Sequence, residues 1–333
     1  MSLYFDIFTI LLSLILLIQG SEWLVQGAVT IAKYKKISDL IIASTIIAFG
    51  IGLPTIAVNV AFVLLNSNSN DIVVGNGLGT NLVNIGLGLG IPALLVSLYT
   101  KYQVFEKEIP IFLVISGLLT SFVLDGFLSR VEGFVILALY LLTLIIIYQY
   151  SLRERVQSKD YLQIDLNTST ISETSTKEVF LSKGILLIVI GMIILASSSL
   201  LLTLMIPRFS QDFGISEYLI GLTIVGIGTS LPMVITSIKS SLKGFSDIVL
   251  GNVFGSTIAN IGLGLGLPAI ISPLYFNAES LKDIQFFNIL IVIVIFTILI
   301  KIKLFGDNKI LSKVSGGIIV IFYLSYLVLK IFP

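Results

Sequence analysis

Apolar residues gather along the chain into long runs separated by short polar or charged connections. Runs near or above about 18 residues have the length of a membrane-crossing helix. Their edges place ten spans, at 4–32, 39–65, 71–98, 108–125, 132–150, 182–205, 215–239, 247–271, 284–302 and 313–331. Between the fifth and sixth lies Ser151 to Leu181, a stretch rich in Ser, Thr and charge that reads as a linker too short for a regulatory domain. The expected architecture is an all-α membrane protein of ten transmembrane helices. Residues 1–150 would form the first five-helix unit, 151–181 the linker, and 182–333 the second unit.

The two units are copies. Asp71 to Pro92, DIVVGNGLGTNLVNIGLGLGIP, recurs at Asp247 to Pro268 as DIVLGNVFGSTIANIGLGLGLP, with 14 of 22 positions identical. Just upstream, Gly50-Ile51-Gly52-Leu53-Pro54-Thr55 is matched by Gly228-Thr229-Ser230-Leu231-Pro232-Met233. Such internal repetition organises everything else in the chain.

Composition sharpens the picture. Of 333 residues, 56% are hydrophobic and only 12% charged, with a mean hydropathy of +1.06, well outside the range of soluble domains. The lipid bilayer is the implied partner, and the chain reads as a multi-pass protein of the cell membrane. The N-terminal MSLYFDIF lacks a basic leader and its apolar run is long, so it reads as a first helix rather than a cleaved signal. With no Cys and no His, disulfides, thiolate metal sites and imidazole proton shuttles are excluded. Charge placement gives orientation. Sixteen of the 20 basic residues fall in odd-numbered connections, and only Arg130, Arg208, Lys282 and Lys330 fall in the even-numbered ones and the tail. Lys and Arg resist translocation, so the linker is expected in the cytoplasm and both termini outside. Five helices per copy then force the second to enter from the opposite side, giving two inverted repeats. That is a recurrent build of secondary transporters, with the site near the midplane where the copies meet.

The repeated stretch carries the candidate chemistry. Asn76, Thr80 and Asn84 share one helix face, as do Asn252, Ser256 and Asn260. Amides and hydroxyls are costly against lipid, so these faces should point into the protein or a wet cavity. As helix glue alone each would contribute about 0.6 kcal/mol, and a matched pair of three-residue faces favours a site instead. The glycines Gly75, Gly79, Gly86 and Gly90, mirrored by Gly251, Gly255, Gly262 and Gly266, are spaced for close helix approach. GNGLG superficially resembles a nucleotide loop, but no strand precedes it, and neither cofactor nor nucleic acid is expected. Pro54 and Pro232 are helix-breaking supports. Each frees a carbonyl one turn back, for a neighbouring hydroxyl or for an ion, and Thr229 and Ser230 are placed for either.

These motifs resemble the two repeats of the cation/calcium exchanger superfamily, of which sodium/calcium exchangers are the best-known members. That family reads G-[TS]-S-x-P-E and then G-N-x-x-G-S-[ND]-x-x-N in each repeat, and Ile37-Ser38-Asp39 and Ile215-Ser216-Glu217 are similar to it too. The resemblance implies a midplane ion site for cations such as Na⁺ or Ca²⁺. The family's glutamates fall on Thr55 and Met233, its second-motif ligands on Asn81 and Thr257, and its Thr-Ser pair survives only as Thr229 and Ser230. The implied ligands are therefore Thr55, Asn76, Thr80, Asn81, Thr229, Ser230, Asn252, Ser256 and Thr257, with Asn84, Met233, Asn260 and Glu22 as secondary candidates. No carboxylate stands at the motif positions. Glu22 in the first span is the intramembrane acid left over, with Ser197 to Ser199 at the matching place in the sixth. Calcium sites use charged carboxylates, so the expectation is a secondary antiporter with a largely neutral site, taking monovalent cations or calcium with altered affinity. The alternative is a transport-inactive scaffold with a binding or regulatory role, for which apolar Met233 speaks. No nucleophile–base pair or catalytic metal cluster points to an enzyme.

Overall fold

The structure is a computed structural model that describes residues 3–34, 48–65, 70–99, 102–154, 177–305 and 309–332. In chain order the helices are α1 (Leu3–Tyr34), α2 (Ala48–Leu65), α3 (Asn70–Gly86), α4 (Gly90–Leu95), α5 (Tyr102–Phe122), α6 (Arg130–Glu154), α7 (Lys177–Phe213), α8 (Glu217–Ile220), α9 (Gly226–Leu242), α10 (Ser246–Ala259), α11 (Leu267–Ile271), α12 (Ala278–Phe305) and α13 (Lys313–Ile331). Gly221–Val225 joins α8 to α9, and Asn260–Gly266 joins α10 to α11, as π-helical turns. Seven helical segments among the described residues are long and apolar enough to cross a membrane, and Gly52–Leu65 and Ile109–Asp125 are shorter apolar helices. Within the expected linker, Ser151 to Glu154 continue α6 and Lys177 to Leu181 begin α7. Its middle, 155–176, lies outside the described residues, as do Ile37-Ser38-Asp39 and the start of the second span.

Local chemistry sets the helix ends. Ser129 and Glu132 form a reciprocal capping box at the start of α6, with Ser129 N–H donating to Glu132 Oε2 at 2.8 Å and Glu132 N–H to Ser129 Oγ at 3.2 Å. Ser216 caps α8 by accepting from Leu219 N–H, and Gly214 before it takes φ +63°, a backbone shape open to glycine.

Helix α3 is the centre of the molecule: every residue from Ile72 to Gly86 is buried. Apolar side chains on the outward faces of α1, α7, α12 and α13, among them Phe8, Leu186, Phe296 and Ile321, are exposed, as lipid contact requires. Without a hydrophobic drive between helices in lipid, close backbone approach at small residues does the joining. A Cβ on Gly79 would collide with Leu222 O, and one on Gly75 with Tyr218 O. Helices α1 and α7 run antiparallel along a glycine seam, Gly20 against Gly191 and Gly27 against Gly184. Gly255 is an exception to the expected close packing, with nothing within 4 Å of its Cβ position.

Corresponding residues of the two copies make corresponding contacts with each other. Gly86 abuts Tyr323, and Gly262 abuts Tyr140; Gly90 faces Ile319 and Val320, and Gly266 faces Gly133 and Ile136. Four short strands, which the all-α expectation lacks, extend the pattern: β1 (Leu98–Tyr99) pairs antiparallel with β4 (Lys309–Leu311), and β2 (Phe127–Leu128) with β3 (Leu274–Tyr275). The connections meet where helices end, and backbone pairing satisfies groups that would otherwise face the membrane boundary.

Candidate ion-binding site

The site lies where α2 and α3 meet α9, α10 and the π-helical turn after α10. The carbonyl that Pro54 frees, Gly50 O, accepts from Ser21 Oγ of α1 at 2.7 Å, so a neighbouring hydroxyl takes it. Around Pro232, the hydroxyls of Thr229 and Ser230 donate back to Val225 O at 2.9 Å and Gly226 O at 2.7 Å, leaving their lone pairs as acceptors.

A cavity of about 10 Å³, measured as space open to a water's centre, is lined by Gly52, Thr55, Thr80, Asn84, Thr229, Ser230, Met233, Ser256 and Asn260. It has room for about one water-sized occupant. Three threonines form a chain across it: Thr80 Oγ1 lies 3.4 Å from Thr55 Oγ1 and 3.3 Å from Thr229 Oγ1. Ser256 donates to Val253 O at 3.2 Å, again freeing its lone pairs.

Asn84 and Asn260 occupy equivalent positions, and their side chains are used in the same way. Asn260 Nδ2 donates to Asn81 Oδ1 at 2.8 Å and Gly77 O at 2.7 Å, while Asn84 Nδ2 points at Thr257 Oγ1 at 3.5 Å. With each amide's N–H groups turned to the other copy, Asn84 Oδ1 and Asn260 Oδ1 remain buried without a partner among the described residues. Orphaned buried acceptors are rare and call for an explanation. Two of them on the wall of one cavity are suited to a cation.

The residues expected to surround this cavity thus divide. Thr55, Thr80, Thr229, Ser230 and Ser256 line it, together with the secondary candidates Asn84, Asn260 and Met233. Asn76, Asn81, Asn252 and Thr257, which the motifs placed at its heart, stand behind the wall and hold it. Asn76 Nδ2 donates to Asn59 Oδ1 at 2.7 Å, and its Oδ1 lies 3.4 Å from Thr80 Oγ1 and 3.3 Å from Thr229 Oγ1. Asn59 Nδ2 in turn donates to Gly264 O at 2.6 Å. In the other copy Asn252 Nδ2 donates to Ser237 Oγ at 2.8 Å, and Asn81 and Thr257 receive the amides of Asn260 and Asn84. Glu22 is exposed and absent from the cavity wall. The motifs missed Asn59 and Ser237. Both stand five residues after their proline, so comparing the copies beyond the motif edges could have found them.

Electrostatically the wall is neutral. No carboxylate lines it, and no cluster of three or more His, Cys, Asp or Glu exists among the described residues. At the matching glutamate positions, Thr55 lies beside Gly264, and the Met233 Cε and Sδ atoms lie close over Gly88, 2.5 and 2.8 Å from where a Cβ would stand. Hydroxyl and amide oxygens can replace part of a monovalent ion's hydration shell. A divalent ion would lack the countercharge that offsets its larger dehydration.

The sequence profile of the sodium/calcium exchanger protein family matches residues 5–149 and 183–332. Inner membrane protein YrbG of Escherichia coli is 33% identical over 267 residues, covering 79% of each chain. Sodium/calcium exchanger MaX1 of Methanosarcina acetivorans is 27% identical over 345 residues, 96% of each chain. Among solved structures, the sodium-calcium exchanger NCX_Mj, from a crystal soaked with Na⁺ and Sr²⁺, superposes with a TM-score of 0.62 at 25% identity, over 98% of each chain.

Proposed function

The chain belongs to the sodium/calcium exchanger family, and from that premise we propose that it exchanges monovalent cations of the Na⁺ class by alternating access to the neutral cavity. It is a multi-pass membrane protein and a secondary cation antiporter rather than an enzyme. The observation that carries the choice of ion is the pair of orphaned carbonyl oxygens, Asn84 Oδ1 and Asn260 Oδ1, in a cavity with hydroxyls and no carboxylate. Thr55, Thr80, Thr229, Ser230 and Ser256 supply the remaining oxygens. Asn76, Asn81, Asn252 and Thr257 fix the wall, with Pro54 and Pro232 breaking the helices beside it.

The same reading takes the chain as ten helices in two inverted repeats, residues 1–150 and 182–333, joined by a cytoplasmic linker, with both termini outside. Reciprocity of the Asn84–Thr257 and Asn260–Asn81 contacts supports it, as does the pairing of strands between connections assigned to the same side. A second reading, a scaffold that binds without transporting, draws on buried Met233, whose thioether stands where an oxygen ligand would be expected. Flux into proteoliposomes screened across Na⁺, K⁺, H⁺, Ca²⁺ and Mg²⁺ separates the two. Saturable ²²Na⁺ uptake against internal Na⁺, unaffected by external Ca²⁺ at micromolar levels, is the expected result. Absence of exchange of any of these ions would leave the scaffold reading standing.

A further inference from the structure

Behind the cavity wall, a chain of amides starts from a group that can face only one way. Gly264 O is a carbonyl and can only accept, so the fully buried Asn59 side chain must turn Nδ2 to it, at 2.6 Å. Asn59 Oδ1 is then left for Asn76 and accepts from Asn76 Nδ2 at 2.7 Å. Asn76 in consequence presents Oδ1, the negative end of its amide, to Thr80 at 3.4 Å and Thr229 at 3.3 Å. Each orientation follows from the one before it.

The last link decides what the cavity offers an ion. Thr229 gives its hydrogen to Val225 O at 2.9 Å, behind the wall. Thr80, in the middle of the threonine chain, has only side-chain oxygens within reach among the described residues: Asn76 Oδ1 behind it, and Thr55 Oγ1 and Thr229 Oγ1 beside it. A hydroxyl dipole orients in the field around it, and the Asn76 oxygen draws the Thr80 hydrogen to the rear, leaving the Thr80 lone pairs on the cavity side. Were the Asn76 amide reversed, its Nδ2 would meet Thr80 Oγ1 and turn the hydroxyl hydrogen toward the ion.

The second copy lacks this device. Ser237 stands at the place of Asn59, accepts from Asn252 Nδ2 at 2.8 Å and turns its own hydrogen to Met233 Sδ at 3.5 Å, so the chain ends within its copy. Through Asn59, by contrast, α2 of the first copy is tied to the π-helical turn of the second. That turn begins with Asn260, and a Cβ on Gly264 would collide with Asn260 Oδ1.

We propose that Asn59 is a positioning residue of the ion site: by fixing the direction of the Asn76 amide, it makes Thr80 an oxygen ligand for a monovalent cation instead of a hydrogen donor facing it. The inference rests on the proposed binding of such a cation in the cavity.

Equilibrium binding of ²²Na⁺ to the purified full-length protein in detergent tests it. Asn59→Leu, of similar volume but without a polar atom, releases the Asn76 amide and is expected to weaken binding about tenfold, the scale of one hydrogen-bonding dipole aimed at a charge. Asn59→Ser, which copies Ser237, can still accept from Asn76 while donating along its own helix, and should restore the affinity to within about threefold of native. In a Thr80→Val background, Asn59→Leu should cause no further loss, because the two act through one hydroxyl. Native affinity in Asn59→Leu, equal losses in Asn59→Leu and Asn59→Ser, or a full further loss in the Thr80→Val background would each overturn the inference alone. A native protein that binds no ²²Na⁺ would overturn the cavity reading, and this inference with it. Should Asn59→Leu not yield monodisperse protein, Asn59→Val, smaller and equally unable to hydrogen-bond, carries the same expectations.

Discussion

Thr55 and Met233 stand at matching places in the two copies, and they decide which ion the cavity can hold. Met233 is buried over Gly88 and Thr55 lies beside Gly264, so both side chains already face the wall. Calorimetry of the native protein is expected to show no calcium binding at micromolar concentrations. Thr55→Glu combined with Met233→Glu should bring the calcium dissociation constant down to roughly 10⁻⁵ M or below, in the range of carboxylate-rich sensor sites. Tight calcium binding by the native protein would contradict the neutral-wall argument. The hydroxyls on the wall were legible from the motifs: Thr80 and Ser256 stand at matched positions, and Thr55, Thr229 and Ser230 lie in the proline motif, although their counterparts Met233, Ile51 and Gly52 carry no hydroxyl. The ranking of the asparagines was not. Asn81 and Asn84 lie within one turn of each other, and only the direction of each amide, set by contacts 170 and more residues away, tells wall from support.

At the scale of elements, glycine spacing marks close contacts, with backbone at Gly75, Gly79 and Gly266 and with the Tyr323 and Tyr140 rings at Gly86 and Gly262, but it cannot say which glycines, such as Gly255, have no neighbour. Gly79→Ala would drive a methyl group into the backbone of Leu222, displacing α3 from the π-helical turn that carries α9. A cost of about 1–3 kcal/mol is expected from such overpacking. Gly255→Ala meets open space in the middle of α10, and the better helix propensity should stabilise it by up to about 1 kcal/mol. Thermal unfolding in detergent should move in opposite directions for the two. The identical heptapeptide NIGLGLG, at 84–90 and 260–266, adopts a break between α3 and α4 in one copy and a π-helical turn in the other. The two shapes are close: in the first copy Gly88 N–H donates to Val83 O, five residues back, the kind of bond that defines the π-helical turn of the second, while Met233 packs over Gly88 and Thr55 beside Gly264.

For the whole molecule, the apolar runs coincide with the described helices, seven of them long and apolar enough to cross a membrane, and the strands escaped because two or three residues are too few to carry a periodic signal. Those strands nevertheless bear on sidedness. Each joins connections that charge counting puts on one side: β1 with β4, which adjoin Lys-rich connections, and β2 with β3, which do not. Single cysteines at Tyr99 and Tyr275, introduced into a chain that has none of its own, should therefore label from opposite faces of the membrane. An impermeant maleimide applied to intact cells is expected to reach Tyr275→Cys and to spare Tyr99→Cys. Reaction at Tyr99→Cys alone would reverse the orientation, and reaction at both would refute the spans.

The cross-copy contacts around α3 also set an order of events during synthesis. When residue 154 leaves the ribosome, Asn84 has yet to meet Thr257, Gly75 and Gly79 have no backbone to lie against, and the strand Leu98–Tyr99 waits for residues more than 200 positions later. The most buried helix of the finished protein is thus an unfinished surface for half of translation, with amides and glycines turned toward lipid or toward the insertion machinery. Its sequence is the least apolar of the early spans that the chain must deliver to the bilayer. A helix so dependent on its late partner couples the two halves into one folding unit, and damage near the C-terminus is felt first at the centre of the first half.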